Sequence, residues 1–154
     1  MKLTPTQIAI TAVGGSALLL SGAFVFQILG YPPCKMCIWQ RWPHAAAFVL
    51  GLVFTFIPQR IIAILGALAA ATTSAIGFFH AGVEQKWWEG PSTCTSGDIT
   101  TLSPEQLLEQ IMTAPLVRCD DIAWALGGIS MAGWNAILSL VLVFIWITAA
   151  RRIR

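Results

Sequence analysis

The sequence predicts an all-α membrane protein, a four-helix transmembrane bundle with a short amphipathic surface helix in its second outer loop. Three observations predict it. Of 154 residues, 56% are hydrophobic and only 10% are charged, where a soluble domain carries about a quarter charged residues. Four uncharged stretches approach the roughly 20 apolar residues that cross a hydrocarbon core. The charges are also segregated: all seven acidic residues fall between Glu84 and Asp121, apart from Lys2, Arg60, Arg151, Arg152 and Arg154. The length holds a single domain over 1–154 and leaves no room for a large soluble one. A net charge of +2 with no basic patch outside the termini gives no support to nucleic-acid binding.

The first span is read over 8–29, inside the uncharged stretch 3–33, with Gly14, Gly15, Ser16 and Ser21 as small residues for close helix contact. A cleaved signal peptide is the competing reading; its apolar core is usually about 7–15 residues, shorter than this run. The second span lies between Arg41 and Arg60, over about 42–57. Pro43 stands in its first turn, so the helix either starts there or bends there. Pro58-Gln59-Arg60 then makes a tight turn. The third span covers 61–79, with Gly66, Thr72, Thr73 and Ser74 as its packing face, and ends at His80, where Glu84 and Gln85 cap it. The fourth covers 131–150, with Gly127 and Gly128 as a candidate extension, and stops at the basic tail.

Basic residues near span ends stay on the cytoplasmic side of a membrane. Both termini are therefore expected in the cytoplasm, and the loops over about 31–41 and 81–121, which carry all four cysteines, are expected outside. In a bacterium with two membranes that outside is the periplasm, where disulfides form and persist. Within the larger loop, Ser103, Pro104 and Gln106 make a helix-start pattern. Leu107, Leu108, Ile111 and Met112 then recur at helical spacing, which suits a helix lying on the membrane surface. Trp87 and Trp88 are read as interfacial anchors or as members of an ordinary aromatic belt.

The chemistry concentrates in PPCKMCIWQR, residues 32–41. If a helix begins just after Pro33, Cys34 and Cys37 lie at i and i+3, and Arg41 follows one turn later on the same stripe. A helix N-terminus and a nearby cation both favour the thiolate, the reactive form of cysteine, so Cys37 is the expected activated sulfur. Ile38 rather than histidine follows Cys37, which disfavours covalent haem attachment. A four-thiolate zinc site usually needs two paired knuckles, which Cys94 and Cys119 do not supply, so no metal is expected.

The four-span plan, Cys34-Lys35-Met36-Cys37 followed by Gln40-Arg41, two further loop cysteines, and the run CDDIAWALGGISMAGW with Cys119, Trp124, Met131 and Trp134 together resemble the DsbB family. The resemblance covers nearly the whole chain. It implies a quinone-dependent thiol oxidase of the bacterial inner membrane, passing two electrons from a periplasmic DsbA-like thioredoxin-fold partner to ubiquinone or menaquinone. It further implies that Cys94 receives the attack of the donor, that Cys119 passes the electrons inward, and that Cys34 exchanges with this loop pair. Cys37, beside Arg41, is left to meet the quinone. Arg41 and His80 are the implied quinone contacts, although each also has a plain interfacial reading. His44 is assigned a packing or interfacial role. The pairing expected at rest is Cys34 with Cys37 and Cys94 with Cys119.

Two other readings remain. A vitamin K epoxide reductase-like protein would carry its Cys-x-x-Cys in a late span, whereas here it precedes the second. A non-catalytic membrane protein would use the cysteines only to staple its outer loops, and it would turn over no thiols.

Overall fold

The computed structural model describes residues 3–95, 103–113 and 117–153; of the helix at 104–113, the side chains of residues 107, 110, 111 and 113 lie outside that description. Lys2 and Arg154 of the expected basic face, and the side chains of Leu107 and Ile111, therefore fall outside the described residues. Four long helices form the body: α1 (Pro5–Ile28), α2 (Lys35–Phe56), α3 (Arg60–Glu84) and α5 (Met131–Arg152), with a short α4 (Pro104–Thr113) between the last two. Of these, α1, α3 and α5 are long and apolar enough to cross a membrane.

Local chemistry sets each end. Thr4 and Gln7 cap α1 reciprocally, with Pro5 opening the helix where its missing N–H costs nothing. Cys34 caps α2 through its sulfur, which accepts from the Cys37 N–H. The helix therefore begins at Lys35, just after Pro33 as the Cys34–Cys37–Arg41 stripe requires, and seven residues before the span expected over 42–57. Pro43 sits within it. That proline withholds only the N–H that would reach the Trp39 carbonyl, a loss the surrounding turns absorb. α2 stops at Phe56, just before Pro58, which restricts the residue ahead of it.

α3 continues to Glu84, past the last apolar residue of the expected span, because His80, Gly82 and Val83 are buried against the loop that follows. Its end is closed by the Trp87 N–H on the Gly82 carbonyl and the Lys86 N–H on that of Val83, with Lys86 at φ +61°, where glycine is usual. Ser103 and Gln106 cap α4 as their spacing predicts. Gly127 and Gly128 do not extend the last helix. They are the tip of a hairpin, β1 (Ala125–Leu126) on β2 (Ile129–Ser130), with φ of +60° and +80° that a two-residue turn requires. Ser130 then caps α5.

The bundle is narrow because small residues let large ones in. Trp146 of α5 is fully buried and meets Phe54 edge-on at 6.0 Å. A Cβ at Gly66 would come within 2.7 Å of its ring. Where α3 crosses the start of α5, a Cβ at Gly77 would lie 3.0 Å from the Ala132 carbonyl oxygen and the Ala136 nitrogen. Thr73 is buried and Ser74 donates to the Ala136 carbonyl, whereas Thr72 is exposed and bonds its own helix at Leu68, so it leaves the expected packing face. On α1, Gly15 and Ser16 face the bundle but Gly14 has open space beside it and Ser21 is exposed. The outer surface is apolar, with Leu18, Ile28 and Phe56 three-quarters or more exposed (75%, 84% and 83%), as a lipid-facing bundle requires. Arg152 donates to the Leu3 carbonyl, which brings the two chain ends together at one end of the bundle.

These contacts predict that Gly77→Leu, which must displace backbone, lowers stability by about 1–3 kcal/mol. Gly14→Ala should be neutral or slightly stabilising. Thermal unfolding of the two variants in detergent micelles checks the contrast.

Candidate functional site

At the end of the bundle away from the termini, the two sulfurs of the Cys-x-x-Cys face each other at 2.8 Å, Cys34 donating its S–H to Cys37. The Cys37 N–H returns a bond of 3.2 Å to the Cys34 sulfur. Both are free thiols here, so the expected resting disulfide between them is not formed in this structure. The Cys34 thiol is held above its ordinary range, first by its bond to Cys37 and then by burial. Cys34 is therefore the member that holds its proton, and Cys37, half-buried, is the sulfur that receives that S–H.

A directed chain of hydrogen bonds runs beneath the pair. Thr73 donates its hydroxyl to the Gln40 carbonyl, so its oxygen can only accept from Asn135 Nδ2, at 3.1 Å. Asn135 Nδ2 also donates to Gln40 Oε1 at 2.7 Å, which leaves Gln40 Nε2 to donate to His80 Nδ1 at 3.0 Å. With Nδ1 accepting, neutral His80 carries its proton on Nε2, and that nitrogen faces the Cys34 sulfur at 3.5 Å. His44 closes the other end by donating Nε2–H to Asn135 Oδ1 at 2.8 Å. It is a buried member of the network and not an interfacial residue.

Cys34, Cys37 and His80 place their ligand atoms within 4.8 Å of one another. The partner of His80 does not suit a metal, because a ligating imidazole turns its other ring nitrogen as a donor to an acceptor, whereas Nδ1 here receives the Gln40 amide.

Arg41 lies one turn beyond Cys37 and leans on α1. It donates to Gln27 Oε1 at 2.8 Å and to the Ala23 carbonyl at 3.3 Å, with its guanidinium carbon 4.7 Å from the centre of the Phe24 ring. Its Nε–H is buried and has no partner. A cavity of about 250 Å³ opens here, with apolar walls that include Leu19, Phe26 and Trp134 and with Cys37, Arg41 and Glu84 at its polar edge. An apolar slot next to a sulfur and an unpaired arginine donor fits the ring of a quinone, whose carbonyls only accept. His80, expected as a second donor to that ring, lines the same cavity and faces the Cys34 sulfur through Nε2 at 3.5 Å.

Cys94 and Cys119 form a disulfide, and it packs in one buried cluster with Cys34, Met36 and Val83. The loop around it is clasped by Asp120, which takes two bonds from Arg118 and one from Lys86. The Arg118 guanidinium, followed by the Lys86 ammonium, holds the Asp120 carboxyl well below the usual carboxylate range.

All six expected site residues thus meet at one end of the bundle. Sequence reasoning named Gln40 in the motif and Thr73 on a packing face but gave neither a part in a polar network, and it missed Asn135 and the inward turn of Glu84. A polar residue within an apolar span is the signal that was available, and Asn135 is the lone asparagine of the chain.

Residues 5–149 match the family model described as "Disulfide bond formation protein DsbB". Among named relatives, "Disulfide bond formation protein B" of a Shewanella strain is 29% identical over 89% of this chain and 79% of its own length. "Disulfide bond formation protein B 2" of Pseudomonas aeruginosa is 27% identical over 91% of this chain and 85% of its own. The Polaromonas protein, "Disulfide bond formation protein B", is 26% identical over 88% of each. No solved structure matches the chain.

The Asp120 clasp has a definite pH signature. A carboxyl lowered on folding contributes stability that is fully present above its unfolded value of about 3.9 and is lost as pH falls through the folded value. Protection factors for amide exchange across 118–121, taken against the intrinsic rate at each pH, should therefore be unchanged between pH 7 and pH 5. Asp120→Asn should lower them at both.

Proposed function

The chain belongs to the DsbB family, membrane oxidoreductases that form disulfides, and from that premise we propose that it reoxidises a periplasmic DsbA-like dithiol protein and passes the two electrons to a membrane quinone. The observation that carries this reading is the packing of the Cys94–Cys119 disulfide against Cys34, at the edge of an apolar cavity that Cys34, Cys37 and Arg41, with its unpaired Nε–H, line. In this reading all four long helices span the inner membrane, both termini are cytoplasmic, and α4 lies on the periplasmic surface with Leu108 and Met112, 61% and 78% exposed, turned to lipid.

Exchange proceeds by thiolate attack through mixed disulfides. The Cys94 sulfur takes the attack of the reduced donor, and Cys119 leaves as a thiolate. Cys119 then attacks Cys34 of the closed inner pair, and Cys37 leaves as a thiolate. Resolution of the mixed disulfides restores the Cys94–Cys119 bond and leaves both inner sulfurs reduced, the state seen in the structure. The Cys37 thiolate is favoured by the helix N-terminus, by the Cys34 S–H and by Arg41. A bound quinone supplies the two-electron, two-proton acceptor, and Arg41 Nε–H would orient it by a ring carbonyl.

The experiment combines purified protein, ubiquinone and a reduced thioredoxin-like protein. Thiols should disappear as quinone absorbance falls, and Cys37→Ser should abolish both. A protein that only staples its loops would consume nothing. Arg41→Gln should raise the KM for quinone by about 10–100-fold, the loss of one charge-assisted hydrogen bond of about 1.5–3 kcal/mol. An unchanged KM would remove Arg41 from the quinone site.

A further inference from the structure

A second groove, of about 300 Å³, runs between α3 and α5 with no cysteine on its walls. The two helices are antiparallel, with Gly66 against Trp146 and Gly77 against Ala132, so Arg60 at the start of α3 and Arg151 in the last turn of α5 arrive at the same mouth. Beyond the two arginines the lining is wholly apolar. Ala67 and Ala150, 8% and 6% exposed, make the floor, because a methyl group is all that either helix puts there. Ile64 and Ile147 stand at the sides, and Ala71 lies furthest from the mouth.

Both arginines are exposed, and neither is paired with an acid among the described residues. The chain has no acid to spare for them, since all seven fall between Glu84 and Asp121. A second copy of the chain, inserted in the same sense, would set arginines against arginines. The mouth is also the N-terminus of α3, where Gln59 makes no side-chain cap and the first turn holds no acid, so the positive end of the helix dipole adds to the same field. Arg152 is spent elsewhere, on the Leu3 carbonyl.

The length of the groove says which kind of anion fits. From Arg60 to Ala71 the helix rises roughly 16 Å, at about 1.5 Å per residue, and the hydrocarbon core of a membrane is ~30 Å thick. The groove is one leaflet deep. A free phosphate would engage the arginines and leave the groove empty, and an uncharged chain would fill the groove and leave the arginines bare. A lipid with an anionic headgroup satisfies both.

We propose that this groove binds one anionic phospholipid from the leaflet at that end of the bundle, its phosphate between Arg60 and Arg151 and one acyl chain along the alanine floor. Basic pockets between membrane helices hold lipid headgroups in this way. The site draws nothing from the thiol chemistry and stands apart from the function proposed above.

The test titrates the full chain, delipidated in a non-ionic detergent, with phosphatidylglycerol or phosphatidylcholine and reads retained lipid by native mass spectrometry. The wild type should hold one phosphatidylglycerol about 10–30-fold more tightly than phosphatidylcholine, the contribution of two arginines at an anionic headgroup. Arg60→Gln combined with Arg151→Gln should bring that ratio to about one. Ala71→Trp, which fills the far end and leaves the arginines in place, should weaken phosphatidylglycerol by about 10-fold, as the loss of roughly two buried methylenes would. Equal retention of the two lipids by the wild type overturns the proposal, and that comparison needs no variant to fold. Inorganic phosphate that displaces phosphatidylglycerol at equal concentration, or an Ala71→Trp chain that binds as the wild type does, reduces the site to an anion contact without a groove and overturns it as well. Thiol oxidation by the double variant in micelles should match the wild type. A wild type that oxidises no thiols would sink the proposed function and leave lipid retention to be read on its own.

Discussion

The hydroxyl of Thr73 gives its only hydrogen to the Gln40 carbonyl, and the polarity of the whole site follows from that bond. The oxygen left behind can only accept, so the asparagine amide must face it with nitrogen, the glutamine must face the asparagine with oxygen, and the histidine must receive an N–H. Within lipid no water stands ready to repair a wrong partner, so a network of this kind is either satisfied in one direction or strongly destabilising. The result is a histidine whose tautomer is set by residues on three helices, with its remaining N–H aimed at sulfur.

Much of this was legible from spacing. Cys34, Cys37 and Arg41 share a stripe because α2 runs through Pro43, one of the two geometries the sequence allowed, and the sulfur of Cys34 supplies the cap that lets it begin so early. What stayed hidden depended on contacts far apart in the chain. Gln40 and Asn135 are 95 residues apart, and no local period joins them. Thr72 and Thr73 are equally small and equally polar, and only the position of the neighbouring helix decides which is buried. Gly127 and Gly128 sit in an apolar context that suits a membrane helix, but two successive positive φ angles make them a hairpin tip.

The two ends of the bundle are built on different principles. The end near the termini is closed by shape, with Trp146 filling the space that Gly51 and Gly66 leave open. The opposite end is closed by polar contacts: the Asp120 clasp, the capped helix starts and the directed network. Tight apolar packing at one end can carry the stability of the molecule, which leaves the other end able to hold a buried carboxylate and reactive thiols that packing alone would exclude.

One of those caps joins redox state to backbone. The sulfur of Cys34 is the group that the first turn of α2 hangs from, and a reduced sulfur is a stronger acceptor than one tied into a disulfide. The same atom thus serves as both redox group and helix cap, so any change in what that sulfur is bonded to acts directly on the first turn of the segment on which Arg41 rides.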